Sequence, residues 1–336
     1  MKAMVISRIT LIEPETTPLE LVDLPDPEPG PGEVRIKVSA CGVCHTELDE
    51  IEGRTAPPRL PVVPGHEVVG RVDRLGQGAR RFAVGDRVGV GWIHCSSGEA
   101  DENLSPSFRA TGRDAAGGYA EYMTVPESYA YPIPQVFSDA EAAPLLCAGA
   151  VGYRSLRLTG IQDGQNLGLT GFGGSAHLVL QLSRHLYPST KVYVFARDAA
   201  ARGFALSLGA VWAGDTSERA PVALDAIIDT TPAWLPVVEA LASLRPGGRL
   251  VINAIRKEER DKTALLKLRY GDHLWLEKEI KSVANVTGRD IREFLAIAAE
   301  IPLRPQVETY PLRDANRALL DLKYRPVRGA KVLVIG

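Results

Sequence analysis

Within Ala40 to Glu50, "ACGVCHTELDE", two cysteines, a histidine, a threonine and a run of carboxylates stand close enough to share one site. Thiolates and imidazoles at such spacing bind metals or exchange electrons, and the two chemistries need different surroundings. A closed four-thiolate zinc site needs a second C-x-x-C pair, and none follows Cys41 and Cys44. A thioredoxin-like redox pair belongs beside a βαβ unit, and strands and helices begin to alternate only near Asn166. In a third option one cysteine joins distant ligands in an open metal site, and "PGHEVVG", with His66 and Glu67, offers the next donors.

A second stretch suits an anion. "NLGLTGFGGSAH" sets Gly171, Gly173 and Gly174 after an apolar strand and at the start of a helix, with Ala176 in the third fingerprint position, a G-x-G-x-x-A match. The tight turn, the close approach of backbone and the free N–H groups of a helix start suit the pyrophosphate of a dinucleotide. The next strand ends in "VYVFARD". With Ala196 at the strand end, the carboxylate that grips an NAD ribose is missing and Arg197 meets a 2′-phosphate, which predicts NADP(H) over NAD(H). In the competing register Asp198 supplies the carboxylate and Arg197 is a solvated charge.

These residues need two kinds of scaffold. Val34 to Val136 reads as short β-branched runs separated by Gly and Pro, a β-rich domain. After "DAEAAPLLCAGAVGYRSLR", read as one helical segment, the strand candidates "NLGLTG", "KVYVFAR", "LDAIIDT", "GGRLVINA" and "EIKSVANV" alternate with helices, as in a parallel sheet. A final helix–strand–helix–strand segment fits either domain by periodicity.

A chain of 336 residues is long enough for two domains. Lys+Arg 39 against Asp+Glu 41 predicts neither a nucleic-acid nor a membrane partner. The chain shows no membrane-length apolar run or signal-peptide pattern, which predicts a cytoplasmic protein with reduced cysteines.

"GVCHTEL", "PGHEVVGRV", "GDRVGV", "GGYAEY", "CAGAVGY" and "GFGGSAH", in this order, resemble the zinc-dependent alcohol dehydrogenases of the medium-chain dehydrogenase/reductase superfamily. The resemblance implies an α/β fold: a β-rich GroES-like catalytic domain over residues 1–150, a Rossmann doubly wound parallel sheet over 151–285, and a return segment, 286–336, completing the first. It implies one catalytic zinc on Cys44, His66 and Cys147, with Cys41 a bystander. Glu47 would orient His66, Glu67 would stand beside the zinc, Thr46 would relay the alcohol proton and His45 would lie near the pyrophosphate. Asp49 replaces the relay's usual second histidine. Trp92 would line the substrate pocket, and Lys331 would lie near the cofactor phosphates. The lobe that often holds a structural zinc keeps only Cys95, with Ser105 in the last cysteine's place, so no second zinc is expected. The implied partners are a small alcohol or carbonyl and further copies of the chain, as a dimer or tetramer. A zinc-free quinone or enoyl reductase, or a non-catalytic NADP(H)-binding protein, is the alternative. The zinc-ligand set argues against the first, and Thr46 beside it against the second.

Overall fold

The computed structural model describes every residue except 302, 304 and 326–328. The chain forms two compact units, one of Met1–Ala150 with Val286–Gly336 and one of Val151–Asn285.

The first unit is built on a seven-stranded sheet. Its main path runs Val307–Pro311, Ala330–Val334, Glu33–Val43, Val68–Leu75, Arg87–Val90 and Ala130–Pro132, and Tyr122–Pro126 pairs with the first half of Glu33–Val43. The long Glu33–Val43 strand buries Val34, Ile36, Val38 and Cys41 in a core shared with Val68, Val72, Val88, Val90, Met123, Leu319 and Leu333. The final segment, left open by periodicity, lies here: Ala330–Val334 runs antiparallel to Glu33–Val43, with Lys331 opposite Val43 and Val334 opposite Ala40.

The second unit is a six-stranded parallel sheet. Its order is Trp212–Gly214, Lys191–Phe195, Asn166–Thr170, Leu224–Asp229, Leu244–Ile252 and Glu279–Ser282. Numbered along the chain this is 3-2-1-4-5-6, the doubly wound Rossmann order. Leu167, Leu169, Val192, Val194, Ile227, Ile228, Leu250 and Val251 are all buried, as strands covered on both faces require. The order reverses between Asn166–Thr170 and Leu224–Asp229, where such folds bind ligands beyond the strands' carboxyl ends.

The helical segment predicted around Cys147 is not continuous. An α-turn at Asp139–Ala142 gives way to a 3-10 turn at Ala143–Leu146, and a new helix starts at Ala148. Pro144 lacks the N–H that a continuing helix needs, and Cys147 adopts φ −126°, ψ −78°, outside either helix. No described helix is long and apolar enough to cross a membrane.

Candidate active site and dinucleotide crevice

Three distant segments of the first unit bring donors together. Cys44 ends the turn after Glu33–Val43, His66 precedes Val68–Leu75, and Cys147 sits at the helix break. Their donor atoms and a Glu67 carboxylate oxygen lie within 4.8 Å of one another. His66 Nε2 is 3.3 Å from Cys147 Sγ. Two Zn–S bonds and one Zn–N bond in tetrahedral geometry would set donors about 3.5–3.8 Å apart, so the set suits a zinc ion with small adjustments.

Glu47 braces this set. One of its carboxylate oxygens accepts from the Cys44 backbone N–H at 2.8 Å, half of a capping box on the helix His45–Ile51. The other lies 2.7 Å from His66 Nδ1, which leaves Nε2 for a metal. Burial works against a charged His66, but Glu47 and the hydrogen bond to Cys44 outweigh it and push its pKa well above the usual imidazole range. The Cys147 hydrogen bond draws the Cys44 thiol well below its usual pKa. The same bond, with burial, pushes Cys147 up. Two thiols sharing a proton in this way are readily converted to a dithiolate by a divalent cation.

Glu67 fits because Gly42 faces it. A Cβ on Gly42 would lie 1.7 Å from the Glu67 carboxylate, so only glycine leaves that space. Cys41 is fully buried, with its thiol pushed up by burial. Thr46 is nearly buried, its hydroxyl 3.6 Å from Cys44 Sγ. Trp92 packs edge-on against the His66 ring, 4.8 Å between centroids. His45 is exposed at the start of its helix.

Two residues are committed elsewhere. Asp49 is buried and paired with Arg54 Nε at 2.6 Å, so its charge is engaged away from a relay. Lys331 is 5% exposed and donates to Glu308 at 2.6 Å and to the Tyr310 hydroxyl at 3.1 Å. The phosphate role read for Lys331 finds no support in this arrangement, because the ammonium is enclosed by partners on the neighbouring strand.

Sequence reading missed two buried acids. The Glu50 carboxylate has no hydrogen-bond partner among the described residues, and burial and then Glu47 push its pKa well up. Glu102 lies in the lobe without the cysteine cluster. Its carboxylate accepts from Gly288 N–H at 2.6 Å and from the Tyr129 hydroxyl at 2.9 Å, and Ser96 donates to its carbonyl at 2.7 Å. Its only local signal is an acid within a polar loop, which many surface acids share.

In the second unit the glycine loop follows Thr170. Gly171 has φ +75°, and a Cβ there would come within 2.9 Å of Thr230 and Thr231. Nothing occupies the space beside Gly173, and Gly174 opens the helix Gly174–Leu186, so backbone N–H groups border a free volume. His177 Nδ1 lies 3.0 Å from the Gly173 carbonyl, and burial lowers the pKa of this imidazole despite that bond.

The strand Lys191–Phe195 is followed by buried Ala196 and exposed Arg197. Asp198 caps the next helix, accepting from Ala200 N–H at 3.1 Å, so the register that turns it to a ribose would break a cap. Arg202 donates to the carbonyls of Ala196 at 2.7 Å and Arg197 at 2.9 Å.

The comparisons with known proteins agree with this architecture. Residues 30–135 match the alcohol dehydrogenase GroES-like domain. A probable alcohol dehydrogenase AdhA of Mycobacterium tuberculosis (strain CDC 1551 / Oshkosh) is 44% identical over 96% of this chain and 94% of its own. An alcohol dehydrogenase of Geobacillus stearothermophilus is 32% identical over 94% and 95%. A solved NAD-dependent alcohol dehydrogenase superposes with a TM-score of 0.89 over the whole of both chains, at 26% identity.

Proposed function

Because the chain belongs to the alcohol dehydrogenases of the medium-chain dehydrogenase/reductase superfamily, which interconvert alcohols and carbonyls with a nicotinamide cofactor, we propose that it is the zinc-dependent, NADP(H)-preferring form of such an enzyme. The convergence of Cys44, His66 and Cys147 carries the zinc half of this reading. Bound there, zinc would lower the pKa of an alcohol or polarise a carbonyl, and the nicotinamide would take or give the hydride.

The chain's own residues do the rest. Glu47 holds His66 in the tautomer that presents Nε2. Thr46, beside Cys44, accepts the alcohol proton on Oγ1 and passes its own onward. With Asp49 held by Arg54, the outlet favoured is water or a cofactor hydroxyl. Trp92, edge-on against His66, narrows the alcohol's approach. The backbone N–H groups of Gly173 and Gly174 would receive the cofactor's pyrophosphate. One zinc per subunit is proposed, the Glu102 network replacing the second.

Arg197 carries the NADP(H) half. It is exposed where a ribose 2′-phosphate would come, and Asp198 is occupied as a cap. One charge-assisted hydrogen bond contributes about 1.5–3 kcal/mol, roughly ten- to a hundredfold in affinity, and exposure favours the lower figure.

Protein with its metal content quantified would be assayed against a panel of alcohols and carbonyls with both cofactors, alongside Arg197→Ala. The expected result is one zinc per chain, and a higher kcat/KM with NADP(H) that falls about tenfold in Arg197→Ala. Activity unaffected by complete zinc removal would refute the zinc reading. Preference for NAD(H), or an Arg197→Ala variant unchanged with NADP(H), would refute the cofactor reading.

A further inference from the structure

The geometry points to Lys257 and Asp229 as positioning residues for the cofactor: a buried ion pair that fixes the rim of the crevice at the strand-order reversal and so holds the glycine loop ready for a pyrophosphate. This rests on reading the second unit as the nicotinamide-binding one.

Asp229 ends the strand Leu224–Asp229 and is fully buried. Lys257 comes from the segment after Leu244–Ile252, with its side chain 8% exposed. An ammonium has three protons to donate, and the partners here match them: the Asp229 carboxylate, the Thr231 carbonyl at 2.7 Å and the Ala233 carbonyl at 3.0 Å. The other Asp229 oxygen accepts from the hydroxyls of Thr170 and, at 2.8 Å, of Thr231.

These bonds converge on the glycine loop. Thr170 immediately precedes Gly171, and Thr230 and Thr231 fill the space that a Gly171 Cβ would need. Asn253, from the same segment as Lys257, donates to Ser175 Oγ at 3.1 Å in the first turn of the helix that the loop opens. The turns after three neighbouring strands are thus tied at the edge where a doubly wound sheet binds its ligand.

A buried ion pair contributes little net stability, because desolvating two charges offsets most of their attraction, and apolar replacements are often neutral. What this one supplies is a fixed geometry for three loops. Arg197 follows a strand on the other side of Asn166–Thr170, so the pair bears on what NADP(H) and NAD(H) share.

The test titrates NADPH and NADH by fluorescence into the full chain, as wild type, Lys257→Met, Lys257→Arg and the double variant Asp229→Asn/Lys257→Met, and measures Tm for each. If the freed rim adopts the binding arrangement about one time in ten, Kd rises about tenfold for both cofactors in the double variant. Cofactor KM rises with it, while kcat falls less. Tm stays near wild type, because no buried charge is left unpaired. Lys257→Met alone also loses Tm, since it strands the Asp229 charge. Lys257→Arg keeps the charge but not the three-way fit of a compact ammonium, so it shows a smaller rise, equal for both cofactors, in the variant with least reason to unfold. A double variant that binds both cofactors like wild type overturns the proposal. So does a loss confined to NADPH, or a Lys257→Arg variant with unchanged affinity. A wild type that binds neither cofactor overturns the reading of the second unit itself.

Discussion

Truncating Glu102 should loosen the lobe around Cys95, which lacks a cysteine cluster. Its carboxylate is 5% exposed and accepts two hydrogen bonds, from Gly288 N–H at the start of the helix Gly288–Glu300 and from the Tyr129 hydroxyl. A charge-assisted bond contributes about 1.5–3 kcal/mol, and a carboxylate at a helix N-terminus adds a few tenths or more. Glu102→Ala deletes both bonds and leaves two donors without acceptors, so the expected loss is about 3–5 kcal/mol. For 336 residues the unfolding entropy near Tm is roughly 0.7 kcal/mol/K, so Tm should fall by about 4–7 °C. Glu102→Gln, which sets an amide N–H against one donor, should lose roughly half as much. Glu99→Ala, at an exposed position of the same loop, should change stability by less than about 0.5 kcal/mol. Differential scanning calorimetry on matched preparations measures all three. If Glu102→Ala melts with wild type, or if all three shifts are equal, the lobe is not held by this carboxylate.

Thr46→Val should retain zinc and cofactor binding yet slow hydride transfer by about 10²–10⁴-fold, and an unchanged single-turnover rate would remove Thr46 from the relay. For pH dependence, burial depresses the folded pKa of His177 below 6.5, so the unfolded chain takes up this proton first and the stability that His177 contributes falls as pH drops below about 6.5. His177→Leu should flatten that fall; His94, lowered by burial in the same sense, remains in both proteins. Equal changes in unfolding free energy between neutral and acidic pH would discount the imidazole.

What could be read from the sequence was what local order encodes. The glycine loop, its flanking strand and helix, and the spacing around Cys44 and His66 are short-range patterns, and each lies where that pattern implied. Cys147 was identified as a ligand through resemblance, but the helix break that frees it depends on Pro144 and on contacts from other elements. The partners of Lys331 were hidden for a related reason. Glu308 and Tyr310 are distant in sequence, and only the pairing of Val307–Pro311 with Ala330–Val334 brings them to it. Glu102 with Gly288, and Asp229 with Lys257, are likewise partners separated in sequence by other helices and strands. In a chain with about a quarter of its residues charged, nothing local distinguishes them from surface charges.

The pairing of Lys331 with Val43 sets a timetable for synthesis. A ribosome adding about 5–20 residues per second emits the partner strand roughly 15–60 s after Ala40–Val43 has left the exit tunnel. Even after the intervening parallel sheet has been emitted, the latter half of the Glu33–Val43 strand has one hydrogen-bonding edge open, beside Cys41 and Cys44. An open strand edge is a template for the wrong neighbour, so this stretch of the nascent chain is exposed to mispairing until Ala330–Val334 emerges to cover it.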